Sequence, residues 1–147
     1  MGATKVLWFD RDALVSAYRG REQHLGKLLR AYLQEAPRTL AALCKAVAQG
    51  DADAIEIIAH QVAGELLCLH ARPVAAIARH IERAAATGRV QGTPTLLSVL
   101  EGATRELLSA LVPLAVGIER HALEHYSEAR ADEELPDIVI ISASLEP

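Results

Sequence analysis

Aromatic residues are nearly missing from this chain. One Trp, one Phe and three Tyr are spread over 147 residues. Runs of β-branched residues are few as well. A β-sandwich or barrel draws on both, so the shortage argues against a sheet protein. No apolar run approaches the length needed to span a bilayer, so membrane insertion is not expected. Lys5 followed by the short run Val6-Leu7-Trp8-Phe9 is not patterned as a signal peptide. Basic excess is absent too. Residues 1–118 hold 13 Lys and Arg against 11 Asp and Glu, a net of +2. Residues 119–147 hold 2 against 8, a net of −6, and neither part offers a nucleic-acid surface. There are only two cysteines, Cys44 and Cys68, both among helical apolar positions. They are expected to be reduced core thiols of a cytoplasmic protein. No glycine-rich phosphate loop, nucleotide fingerprint or Ser/His/Asp set is found.

What the chain does have is Ala, Leu and helical periodicity; 51% of its residues are apolar. Asp10 can cap a short lead helix that stops near Gly20. A second helix is predicted over about 21–49. Leu25, Leu29, Ala36, Leu40, Leu43 and Val47 keep its phase, with Leu33 on the flank. Pro37 is expected to kink it without breaking it, because the periodicity continues across. Gly50 ends this helix and Asp51 caps a third, over about 52–69. After the tight connection His70-Ala71-Arg72-Pro73, a fourth carries Val74, Ile77, Ala78, Ile81 and Ala85 and ends at Gly88. Thr93-Pro94 starts a fifth, with Leu96, Leu100, Ala103, Leu107, Leu111, Leu114 and Ile118 in phase and a bend at Pro113. Four long amphipathic helices with short connections favour antiparallel neighbours. The expected fold is therefore all-α: an up-down-up-down four-helix bundle over 1–126, with a short N-terminal lead helix. Residues 127–147 read as an irregular acidic tail holding one strand-like stretch, Asp137–Ile141.

The third helix carries the sharpest signal. At 100° per position, Ile55, Ile58, Ala59, Val62, Leu66 and Leu69 gather on the core face. His60 falls nearly opposite, with Gly64 one turn on. Ile57 and Leu67 flank it on the outer side, where a purely solvated face would carry polar residues. Gly64 costs about 1 kcal/mol of helix stability relative to Ala and leaves room beside the ring. Two readings stand at this point: a docking surface around a reachable imidazole, or a helix buried on two sides with a satisfied histidine.

Ala59-His60-Gln61-Val62-Ala63-Gly64 resembles the active-site sequence of histidine phosphotransfer (HPt) domains, usually Ala-His-x-Leu-Lys-Gly. Phe9-Asp10, the Leu-rich second helix, Gly50-Asp51, and Ile81-Glu82 followed by Gly88 also stand at that family's spacing, so the resemblance covers about residues 8–111. It implies that His60 takes a phosphoryl group from the aspartyl phosphate of a response-regulator receiver domain and passes it to another receiver. It further implies no cofactor on this chain, with Mg²⁺ on the partner receiver, and docking through Ile57, Ala63, Gly64 and Leu67. A hybrid sensor kinase is an expected parent or partner. Three positions depart from the pattern. Ala63 stands in place of the usual Lys, Glu65 in place of a small residue, and His70 where the family turns with Gly. The alternative is an HPt-like interaction or dimerisation domain that no longer relays.

A rival chemistry is His121-Ala122-Leu123-Glu124-His125, which has the His-x-x-Glu-His spacing of some zinc sites, with Glu128 extending the face. Only 22 residues follow it, and the expected reading is a solvated helix end. Of the other histidines, His24 is expected at the surface or bundle end, His70 in a connection, and His80 partly buried beside Ile77 and Ile81.

Overall fold

The computed structural model describes residues 8–129, with the side chains of Tyr126 and Ala129 left out. These residues are all-helical. Five α-helices follow in order: α1 (Arg11–Ala17), α2 (Glu22–Gln49), α3 (Ala52–Cys68), α4 (Arg72–Ala86) and α5 (Thr93–Ala129). A short 3₁₀ turn, Val90–Gly92, leads into α5. The strand-like stretch Asp137–Ile141 lies outside the described residues. Helix α5 itself runs on past residue 126 through Ser127 and Glu128.

The starts of α1 and α3 are set by side-chain caps. Asp10 accepts from the Ala13 amide at 3.0 Å, and Asp51 from the Ala54 amide at 3.1 Å. The ends of α2, α3 and α4 share one device. Residues 50, 70 and 88 take positive φ, and paired amides return to the last turn. Pro37 and Pro113 both lie inside continuous helices. In α5 the early Pro94 costs nothing, because first-turn amides have no helical acceptor.

Packing follows a ring: α2 on α3, α3 on α4, α4 on α5, and α5 back on α2. The α3–α4 pair is the most extensive. Small residues explain it, since Ala59 and Ala63 on α3 and Ala75 and Ala78 on α4 are all buried and let the two backbones approach. The three-residue connection Leu69–Ala71 folds α4 back along α3. Fully buried Leu25, Leu29, Leu43, Ile55, Leu66, Ile81, Leu100 and Leu107 fill the centre. Most of the expected stripes are buried, although Leu33, Leu40, Val47, Ile58, Ile77, Leu96 and Ile118 are only half-buried. Tyr32, absent from the expected α2 stripe, is a core residue. Burial, and then the nearby Glu65 charge, push its phenol upward.

Two further expectations need correction. Cys68 is exposed and Cys44 half-buried, so they are not both core thiols. Cys68 lies at the last turn of α3, rotated well away from Leu66 and Leu69. The Cys44 thiol donates to Glu101, and burial first and that bond second raise its pKa. His80 is exposed rather than partly buried, because its direction on α4 is a full 100° step from Ile81.

Candidate functional site

His60 lies on the outer side of α3, and its side chain is 78% exposed. Its neighbours on the core side, Ala59 and Val62, are buried. The helix is anchored from beneath, so the ring is presented from a fixed backbone. The ring is also held from the side. Nδ1 lies 2.8 Å from Oε1 of Glu82 on α4. A carboxylate only accepts, so Nδ1 carries the proton and donates it. The tautomer follows: Nε2 keeps its lone pair and points away from the anchoring bond. Glu82 is the better-shielded partner, its side chain only 24% exposed.

Glu82 is the residue of the candidate site that sequence reasoning does not single out. It enters there only as part of the Ile81-Glu82 spacing. Nothing local distinguishes it from the chain's other glutamates. Only the α3–α4 packing brings residues 22 positions apart into contact.

The expected docking residues separate into two groups. Ile57 is 67% and Leu67 37% exposed, and Gly64 is exposed with open space where a Cβ would stand. Around the imidazole these make a shallow apolar flank. Ala63 departs from the expectation. It is only 3% exposed and offers no docking surface of its own. Helix geometry turns it about 60° from His60 toward the core, into the seam with α4.

Glu65, the second departure from the family pattern, lies away from the imidazole. It accepts from Gln61 Nε2 at 3.2 Å and is near enough to Tyr32 on α2 to shift its phenol. It therefore belongs to the α2 flank of α3, across the helix from the side on which Glu82 meets His60. His70 adopts φ 55°, the left-handed conformation that glycine takes at residues 50 and 88. Its carbonyl accepts from the Asp10 amide at 2.9 Å, joining the lead-helix cap to the α3–α4 turn.

His121 and His125 do come together. Their Nε2 atoms are 2.9 Å apart and the rings meet edge to face. They border an open cleft of about 710 Å³ that also touches Glu22. Glu128 stands 3.9 Å from His125 Nδ1, too far for a hydrogen bond. Among the described residues no three His, Cys, Asp or Glu side chains are grouped to hold a metal ion.

Fold and site together define a class: an all-helical bundle presenting one anchored imidazole to solvent. The Hpt domain family model matches residues 27–114, well over half of the chain, and the chain belongs to that family. The fold is also similar to the crystal structure of histidine-containing phosphotransfer protein B (HptB) from Pseudomonas aeruginosa PAO1. That similarity has a TM-score of 0.71 at 22% identity, covering 76% of this chain and 96% of that one. No curated protein matches the sequence. Family membership assigns the chain a histidine phosphotransfer role in phosphorelay, as a module rather than an autonomous kinase. Among the described residues, no helix is long and apolar enough to cross a membrane.

Proposed function

We propose that His60 accepts a phosphoryl group from the aspartyl phosphate of a response-regulator receiver domain and passes it to a second receiver. The observation that carries this reading is the His60–Glu82 bond, because it leaves Nε2 both unprotonated and exposed. In the first step the Nε2 lone pair attacks phosphorus. The N–P bond forms as the acyl P–O bond breaks, and the receiver's aspartate leaves as a carboxylate. No proton need move. The imidazolium-like ring that results keeps Nδ1–H on Glu82, whose charge opposes the developing positive charge. The second transfer is the reverse step toward another aspartate. Mg²⁺ on the receiver would shield the transferring phosphoryl, so this chain needs no cofactor of its own.

On this reading four helices, α2 to α5, run up-down-up-down, and the acidic tail is appended after the end of α5 rather than from residue 127. Ile57, Gly64 and Leu67 form the surface on which a receiver seats. The protein works in the cytoplasm, free-standing or attached to a hybrid sensor kinase. Loss of the usual lysine at residue 63 favours the second reading, a docking or dimerising domain that no longer relays.

One experiment separates the two. A receiver domain charged with labelled phosphate is mixed with this protein and with His60→Gln. Label is expected on the unaltered protein and absent from the variant. Label on the variant, or on neither protein with any receiver of the organism, overturns the relay. A monomeric solution mass at moderate concentration removes the dimerisation alternative.

A further inference from the structure

Resting on the relay reading, we propose that Arg79 of α4 is the cation that contacts the phosphoryl group on His60, reaching from the opposite helix into the role left vacant by Ala63. The register of the α3–α4 pair carries the argument. The chain turns back within three residues, and His60 meets Glu82. In such a pair, three residues forward on one helix is level with three residues back on the other. Ala63 is therefore level with Arg79. The two turns lie side by side, one turn along from the imidazole toward Gly64.

Direction agrees with height. On α4, Arg79 precedes Glu82 by three positions, so the two share one strip of the helix. Ala75 and Ala78, on the core side of that strip, are buried against the bundle, whereas Arg79 is exposed. Arg79 thus borders the seam from above. Ala63 faces the same seam at 3% exposure and carries no charge to it. Gly64 leaves open space on the α3 side of the same turn. A guanidinium on a long stem fits there and can fork onto two phosphoryl oxygens.

Charge and partners agree as well. Among the described residues, the ion pairs join Arg30 to Glu119, Arg38 to Glu35, His60 to Glu82 and His125 to Glu128. Arg79 takes no part in them. Among the described residues, its one hydrogen bond with a side chain is at the backbone carbonyl, which accepts from Arg83 Nε at 3.4 Å. Among those same described residues, no carboxylate pairs with its guanidinium. Arg83 stands one turn further along α4, level with Ala59 rather than Ala63, and its Nε is already donated to the Arg79 carbonyl.

The test loads His60 with phosphoramidate, a small donor that needs no receiver, and follows the rate of loading and the lifetime of the phosphohistidine by ³¹P spectroscopy. Arg79→Ala is expected to lower the loading rate and shorten the lifetime by roughly fivefold at low salt, a gap that narrows as salt screens the charge. Arg79→Lys should keep most of the effect, and Ala63→Lys placed in the Arg79→Ala background should restore it. Arg83→Ala should stay within about twofold of the unaltered protein. Arg79 is exposed, so its substitution leaves the core intact. The Arg79→Lys comparison also does not depend on whether the buried position of Ala63 tolerates a lysine. Equal loading and lifetime in Arg79→Ala and the unaltered protein would overturn the proposal, as would an effect confined to Arg83→Ala. A protein that shows the Arg79 dependence with phosphoramidate but takes label from no receiver would lose the relay reading and keep this one.

Discussion

Two histidine sites on this molecule each make a hydrogen bond under 3 Å, and they are opposites. At the α3–α4 seam, His60 commits Nδ1 to Glu82 and keeps Nε2 open. Near the end of α5, His121 and His125 commit Nε2 to each other. The first arrangement joins two helices and fixes an exposed ring whose other nitrogen is left free. The second joins two turns of one helix and occupies the very atoms that would do chemistry. An exposed histidine is therefore not enough. A nucleophile needs one ring nitrogen held by an acceptor and the other left free.

The supports under the two sites differ as much as the rings do. Leu66, on the core side of α3 beneath the His60 site, is fully buried, while Leu123, between the two α5 histidines, is 69% exposed. Leu66→Ala should lower unfolding stability by about 2–5 kcal/mol, whereas Leu123→Ala should stay within roughly 0.5 kcal/mol. Chemical denaturation of the two variants checks this. Equal losses would mean that both stretches belong to one packed unit and would remove the contrast.

The chemical half of the comparison is broken at Glu82. Without its acceptor the ring is free to rotate and to take the other tautomer. Glu82→Ala should slow phosphoryl uptake by about tenfold, or roughly 1.4 kcal/mol of barrier. In the same assay, the joint change His121→Ala with His125→Ala should leave uptake within about twofold, since remote surface changes rarely do more. Rapid-quench measurement of label on the protein compares them. If the α5 pair mattered as much as Glu82, the seam would not be the site.

This contrast also marks where sequence reading stops. The helices were legible because periodicity, caps and chain breaks agree: Asp10, Asp51, Gly50 and Gly88 all do what their types suggest. The exposure of His60 was legible because one helix and an angle of 100° suffice. Glu82 was not, since its role depends on how α4 lies against α3. Ala63 failed for the same reason. A position beside the outer face on a helical wheel becomes buried when a neighbouring helix closes over it. His80 shows the reverse, with apolar neighbours on its own helix and solvent around its ring. Single-helix arithmetic tells which side faces the bundle's centre, but not which neighbour covers the flanks.

The smallest expected effect lies at the turn that sets the seam. Residues 50, 70 and 88 end α2, α3 and α4 with the same pair of returning amides and the same positive φ. Two of them are glycine and the third is His70. A side chain with a Cβ is strained at φ 55°, and glycine is not, although glycine loses more freedom on folding. The balance favours glycine, so His70→Gly should raise stability by about 0.5–1 kcal/mol. The His70 carbonyl and its bond from the Asp10 amide belong to the backbone and survive the change. Denaturation midpoints at constant slope measure the gain. A loss instead would mean that the His70 side chain itself braces the turn, making the seam dependent on a contact that its backbone geometry does not require.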